Sequence, residues 1–398
     1  MRFLDWLAFF LLLGGFACQA PSSHAPEPRE SSHRHHSIKV LLKTLPALSA
    51  KRRIYALELL EKEKVFPARH RVLLKKWWKS KVVGQRLLVL KLHRYTSADQ
   101  AVLELFLESL RDPVLSIRQE GMKALLVHFS PSASPPTKVQ QQLLAHLLQL
   151  LDSPPRPGGA WGAAVTARRV FAKMPSSWSL YLMRRYPGLS KRAKSHLLFA
   201  LGHHSHAQVP FFLARGLSES ELRLRRFAAN ALLLQRYRAL VVLKELRGKL
   251  KDRDPLVRGQ LLQLLALLGP LARSAANDVR SAFQQSTLSS VKVQALLTLR
   301  RLKLHDDKLR ETLLQGMKDY HPSVRLAAVQ GLRLSMLKDR AFRKRWSALF
   351  QDSSLTVRTA VLQWSLQFPS SSHLTPLRQK ARQLCKSKPG HYARGTCL

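Results

Sequence analysis

Residues 319–332, DYHPSVRLAAVQGL, decide the architecture. An acid opens a turn, a Val-Arg pair begins a helix, and apolar residues follow at helical spacing. The phrase returns at 352–362 (DSSLTVRTAVL), 252–265 (DRDPLVRGQLLQLL), 219–232 (ESELRLRRFAANAL) and 112–125 (DPVLSIRQEGMKAL). In each copy the acid precedes its Arg by six residues. The basic positions Arg192, Arg225, Arg258, Lys292, Arg325 and Arg358 are separated by 33, 33, 34, 33 and 33 residues.

A fixed period of this length marks a stacked chain in which no unit covers its own apolar face. Small residues recur three positions after the basic one (Gly121, Ser195, Ala228, Ala295, Ala328), and large ones seven after it (Leu125, Phe199, Leu232, Leu265, Leu299, Leu332). Both offsets lie on one side of a helix, and the small column leaves room for a neighbouring backbone. The pattern resembles HEAT repeats, including the short bacterial HEAT-like units related to those of the phycobilisome lyases, strongly over 192–367 and more weakly before. That resemblance implies an all-α fold, an α-solenoid of about ten HEAT-like helix pairs in a right-handed superhelix, and is nearly silent about function. It further implies that Arg118, Arg225, Arg258, Arg325 and Arg358 hydrogen-bond the recurring acids between successive units and are structural.

The charge balance is one-sided: 67 Lys and Arg against 24 Asp and Glu leave a net +43. Such a surface attracts polyanions, whether nucleic acid, anionic lipid or an acidic cell-wall polymer. The first residues, MRFLDWLAFFLLLGGFACQA, read as an export signal whose apolar run is too short to span a bilayer comfortably. The run ends in Gly15-Phe16-Ala17-Cys18, which resembles a bacterial lipobox although Gly15 stands where Leu is usual. The resemblance implies lipidation of Cys18 and, from Gln19, an outer-membrane lipoprotein facing the periplasm of the bacterial cell envelope. Cleavage by an ordinary signal peptidase after Ala17 or Ala20 is the other reading. With Cys18 lipidated, Cys385 and Cys397 remain as an even pair that an oxidising compartment allows to bond; free thiols or a metal pair are the alternatives.

The expected organisation is a signal peptide at 1–17, a Ser-, Pro- and His-rich tether at 18–37, degenerate repeats at 38–129, and an irregular repeat with a Pro/Gly-rich insertion at 130–189. Regular repeats follow at 190–368, and a basic cap at 369–398. The insertion at 152–159 is either a functional loop or a tolerated one.

Two surfaces are candidates for binding. Five residues after the repeated cation stand Lys123, Leu197, Asn230, Gln263, Leu297, Gln330 and Gln363; the amides among them, with Lys123, mark a groove in which an extended partner's backbone finds donors and acceptors. Two clusters mix cations with aromatics, Lys75-Lys76-Trp77-Trp78-Lys79-Ser80-Lys81 and Arg343-Lys344-Arg345-Trp346, and suit an anionic interface, with core packing of the Trp residues as the plainer reading. His203, His204 and His206 have no nearby Cys, Asp or Glu to complete a zinc site, and His33, His35 and His36 fall in the tether. No nucleophile motif, phosphate loop or paired carboxylate is present, so the expectation is no catalytic residue, no metal and no cofactor. The composite expectation is an exported, lipid-anchored scaffold that binds a protein partner and an anionic envelope polymer or lipid headgroups. A nucleic-acid binder is the first rival, and a lyase- or chaperone-like HEAT protein the second.

Overall fold

The structure, a computed structural model, describes residues 50–62, 71–93, 100–128, 138–152, 162–304, 306–332, 334–367 and 374–387, with positions 41, 43, 47 and 392. The expected signal and tether, Cys18 and Cys397 lie outside them. Among the described residues the chain forms twenty α-helices and no strand. It divides into two units, 1–92 and 93–398. The expected segment 38–129 straddles that division.

The first unit contains α1 (Ala50–Lys62), α2 (Arg71–Trp78) and nearly all of α3 (Val83–His93). Its interior holds Leu57, Leu60, Leu74, Val89 and Leu90, with Trp77 and Trp78 each 4% exposed.

The second unit is a run of helix pairs: α4 (Gln100–Ser109) with α5 (Leu115–His128), α6 (Lys138–Leu150) with α7 (Ala163–Lys173), and α8 (Ser179–Arg185) with α9 (Lys191–Leu201). There follow α10 (Val209–Gly216) with α11 (Leu222–Gln235), α12 (Leu243–Lys249) with α13 (Pro255–Leu268), and α14 (Ala276–Gln285) with α15 (Ser289–Arg301). The last pairs are α16 (Asp307–Gly316) with α17 (Pro322–Gly331) and α18 (Arg340–Leu349) with α19 (Leu355–Leu366), and α20 (Thr375–Ser387) packs on α19. From α5 to α19 each second helix packs on the next, which makes the repeat physical. The small column works as its sequence implies, because a Cβ on Gly216 or Gly316 would stand 2.9 Å from the Cβ of Ala228 or Ala328.

The turn between paired helices is built by the acid. In Asp112, Asp252, Asp319 and Asp352, Oδ1 accepts the backbone N–H two residues on, at 2.8 to 2.9 Å. The Arg six residues later donates Nη1 to that acid's own carbonyl, at 2.6 Å from Arg118, 2.7 Å from Arg258, 3.0 Å from Arg325 and 2.6 Å from Arg358. The carboxylate then turns to the cation of the preceding repeat: Arg225 meets Asp252 at 2.9 Å, Lys292 meets Asp319 at 2.7 Å, and Arg325 meets Asp352 at 2.6 Å. The result is a ladder across successive units. Burial pushes the Asp352 carboxyl up, but the Arg325 hydrogen bond, the Ser354 N–H and the Arg325 charge outweigh it and hold the group below the ordinary carboxylate range. A second ladder, not anticipated from the sequence, joins the first helices through Arg247–Asp278 at 2.6 Å, Arg280–Asp306 and Arg310–Asp339.

One assignment is corrected. Each ladder helix begins three residues before its cation, as Leu222 does for Arg225 and Pro322 for Arg325. Helix α9 begins at Lys191, so Lys194 and not Arg192 occupies the column, and the step to Arg225 is two residues short of 33. Packing agrees, since Gly216 faces Leu198, four after Lys194, as Gly316 faces Leu296, four after Lys292. The eight-residue α10 accounts for the shorter step, being two residues shorter than α16, whose step from Lys292 to Arg325 is 33. Leu197 and Leu201 therefore fill the small and large columns, both fully buried, and Phe199 replaces Leu197 in the amide row.

Two predictions follow from the ladder and its end turns. Arg325→Ala removes a cation from a buried carboxylate and two carbonyls and is expected to cost about 3 kcal/mol in urea denaturation. Arg258→Ala loses carbonyl bonds but no carboxylate, because Ser286 stands where the next acid would be, and is expected to cost about 1 kcal/mol. Equal losses would show that the ion pair adds nothing. Arg236 sits at φ 51° in the position that Gly269 occupies at φ 56° in the following repeat. Arg236→Gly should therefore raise the melting temperature despite glycine's entropy, since a side chain there is strained by about 1 kcal/mol or more.

Candidate binding surface

The ladders decide where charge is left over. Between 190 and 398 the chain carries twelve acids, and all but Glu245 and Glu311 are engaged with a cation or a Tyr hydroxyl. After Asp352 the sequence contains no acid at all. Arg382 and Lys386 on α20 stand exposed there, as do Arg340 and Lys344 on the preceding α18.

The aromatic-cation clusters divide on folding. Lys75, Lys76, Lys79 and Lys81 are exposed as expected, whereas Trp77 and Trp78 are in the interior and Arg53 lies 5.3 Å from the Trp77 ring centre. In the second cluster Arg343 donates to the Leu337 carbonyl at 2.9 Å and Arg345 to the Met317 carbonyl at 2.6 Å. Trp346 is fully buried, its Nε1 donating to Ser365 Oγ at 2.8 Å. The aromatic contact expected of Trp77, Trp78 and Trp346 is therefore corrected: amphipathic periodicity turns each ring into the core and leaves Lys344 as the outward cation of its cluster.

The groove row keeps its outward face. Lys123, Gln263 and Gln363 are exposed, and Asn230 and Gln330 are half-buried. Lys123 lies 3.7 Å from Glu120, which weakens it as a contact. Around the amides the free face of α13 to α19 carries Leu256, Gln260, Val293, Gln294, Leu326 and Thr359 partly or fully exposed, with Arg300 and Arg301 as exposed cations at the end of α15. The opposite ends of α11 and α13 expose Leu234, Tyr237, Leu267 and Leu271.

His204 is structural, its ring nitrogens 2.7 Å from the Phe171 carbonyl and 2.9 Å from Ser179 Oγ. No cluster of His, Cys, Asp and Glu suited to a metal occurs among the described residues. Cys385 is disulfide-bonded, with a partner outside the described residues. A cavity of about 360 Å³ opens where the ladder lacks its usual rung: Tyr186 donates to Glu219 at 3.1 Å, Lys194 Nζ lies 5.3 Å from the Tyr186 ring centre, and Arg215 closes the rim. Burial and the Glu219 charge push the Tyr186 phenol up.

No protein-family model matches the sequence, and no curated protein matches it. Solved structures do. The karyopherin Kap121p bound to the extreme C-terminus of the protein phosphatase Cdc14p aligns over 98% of this chain and 51% of its own, at 12% identity and a TM-score of 0.50. Kap121p bound to Pho4p aligns over 94% of this chain and 49% of its own, at 12% identity and 0.48. An engineered protein aligns over 88% of this chain and 99% of its own, at 15% identity and 0.38. The chain thus spans about half the length of the karyopherins it matches, and the likeness establishes a HEAT-like α-solenoid.

His196 supplies a pH test. Burial, then Arg168, Arg223 and Arg192, push its imidazole down to about 4, against the smaller opposing effect of Asp152. The unfolded chain protonates this group near 6.5, so stability present above that pH is lost as pH falls towards 4. His196→Leu should flatten, without abolishing, the decline of melting temperature between those values, because His203 and His204 are also pushed down by burial. An unchanged decline would remove His196 from the account.

Proposed function

We propose that the chain is an exported, non-enzymatic scaffold, anchored by lipid at Cys18, that holds an anionic component of the bacterial envelope on its basic surface and a protein partner on the free face of its second helices. Inner-core lipopolysaccharide, phospholipid headgroups and peptidoglycan carboxylates share the required charge. The observation that carries the reading is the engagement of ten of twelve acids over 190–398 in internal contacts, which leaves exposed cations such as Lys344, Arg382 and Lys386 without neutralising neighbours in sequence. Each exposed cation contributes little alone; together they steer a polyanion and make its capture steeply salt-dependent. The amide-bearing face suits a polypeptide, and a karyopherin of this fold holds a phosphatase C-terminus.

The test is membrane fractionation with increasing salt. The wild-type protein should stay with the envelope at about 0.5 M salt through its lipid, whereas Cys18→Ala should be released there and retained at low salt. Lys344→Glu combined with Arg382→Glu and Lys386→Glu should reduce the low-salt retention of Cys18→Ala several-fold. Salt-resistant retention of Cys18→Ala would overturn the electrostatic part. Recovery of uncleaved protein with cytoplasmic nucleic acid would favour a nucleic-acid binder, since phosphate neutralisation draws on the same cations.

A further inference from the structure

Moving the ladder position to Lys194 frees Arg192. It becomes the first of a stripe on α9, Arg192, His196 and Phe199, whose spacings of four and three stack them on one helix side, and His203 in the turn beyond lies 5.3 Å from the Phe199 ring centre. That side carries the amide row of the later repeats. Two neighbouring second helices add to it. The Arg168 guanidinium of α7 lies 4.3 Å from the Phe199 ring centre, and the Arg223 guanidinium of α11 lies 5.8 Å from that of Phe227, itself 6.5 Å from the His196 ring.

Elsewhere in the second unit Arg225, Arg226, Arg247, Arg280, Arg310 and Arg325 find carboxylates. Here Arg168, Arg192 and Arg223 meet neither a carboxylate nor a hydrogen-bond acceptor for their side chains among the described residues. Arg168 Nε and His196 Nδ1 are buried without a partner, and His196 is 6% exposed. The groups facing His196 are those three cations and Asp152, whose carboxylate already accepts the Ser190 hydroxyl. Three cations therefore surround a buried ring, and the one carboxylate of Asp152 offsets only one of them. Ring stacking holds the Arg168 guanidinium by its face and leaves its N–H edge available for an oxyanion.

We infer that the α7–α9–α11 face is a binding site for a phosphate-bearing ligand, its oxyanion held by Arg168, Arg192 and Arg223 beside the Phe199 and Phe227 rings. A phosphate monoester carries about 1.5 to 2 negative charges and several acceptor oxygens, which fits three forked donors better than one carboxylate does. The inference sharpens the anion-binding reading to one site.

Inorganic pyrophosphate is the probe, titrated calorimetrically into the full chain. Saturable one-to-one binding is expected, weakened about tenfold or more by Arg168→Gln and by Arg223→Gln and unchanged by Arg253→Gln, an exposed residue in the turn before α13. Both site variants should melt within a few degrees of the wild-type temperature, because each loses a ring contact but no ion pair or side-chain hydrogen bond among the described residues. Pyrophosphate should also move the His196 proton resonance at pH 6 towards its protonated position. Wild-type affinity in both site variants, equal weakening by Arg253→Gln, or an unmoved His196 resonance would overturn the site. Vesicles containing phosphatidic acid supply the second arm: competition by pyrophosphate assigns the phosphate to a lipid headgroup, and absence of competition to a soluble ligand. Pyrophosphate binding without salt-labile envelope retention would sink the scaffold reading and leave this site standing; the reverse would sink the site alone.

Discussion

A planar guanidinium with five donors cannot be left dry, and the fold rests on the way each repeat answers that demand. The turn of the same repeat gives two carbonyls, and the next repeat gives a carboxylate. Arg325 illustrates the full set, with Asp319 O at 3.0 Å, Tyr320 O at 2.7 Å and both oxygens of Asp352. Charge-assisted bonds of this kind are worth about 1.5 to 3 kcal/mol each. Their larger effect is geometric, because one side chain fixes the pitch of its own turn and the register of its neighbour.

The same constraint shapes the surface. Carboxylates are the scarce resource in a chain of 67 basic and 24 acidic residues, and the turns take most of those in the second unit. Cations that are not rungs remain on the outside, on α18 and α20 above all. The free face of the later second helices bears amides and small aliphatic groups instead. One chain therefore presents a strongly basic surface and an amide-bearing one, and the two suit different partners.

The interruptions are as informative as the regularity. Ser286 replaces an acid and accepts the Leu288 N–H at 3.2 Å, which preserves the turn while leaving Arg258 without a carboxylate. At the α8–α9 joint Tyr186 approaches Glu219, Lys194 stacks on the phenol ring, and a cavity replaces the rung. The shortened unit also rotates Arg192 out of line. Its guanidinium then joins Arg168 and Arg223, which no ladder helix neutralises.

The sequence alone determined the helix pairs, the period, the turn-opening acids and the excess of positive charge, because each depends on local spacing or on composition. The amides it singled out lie on the face that the apolar stripe leaves free, with Asn230 and Gln330 half-buried and Leu197 of the same row in the core. It misplaced Arg192 because that residue lies on the 33-residue grid and Lys194 does not, and only the helix start at Lys191 and the packing of Leu198 against Gly216 give the column to Lys194. It left Trp77, Trp78 and Trp346 undecided because burial of a ring depends on which helix faces it. The second ladder and the Arg168–His196–Arg223 cluster join residues from separate helices, about one repeat apart. Such proximity is set by how the repeats stack, and so only the tertiary structure decided it.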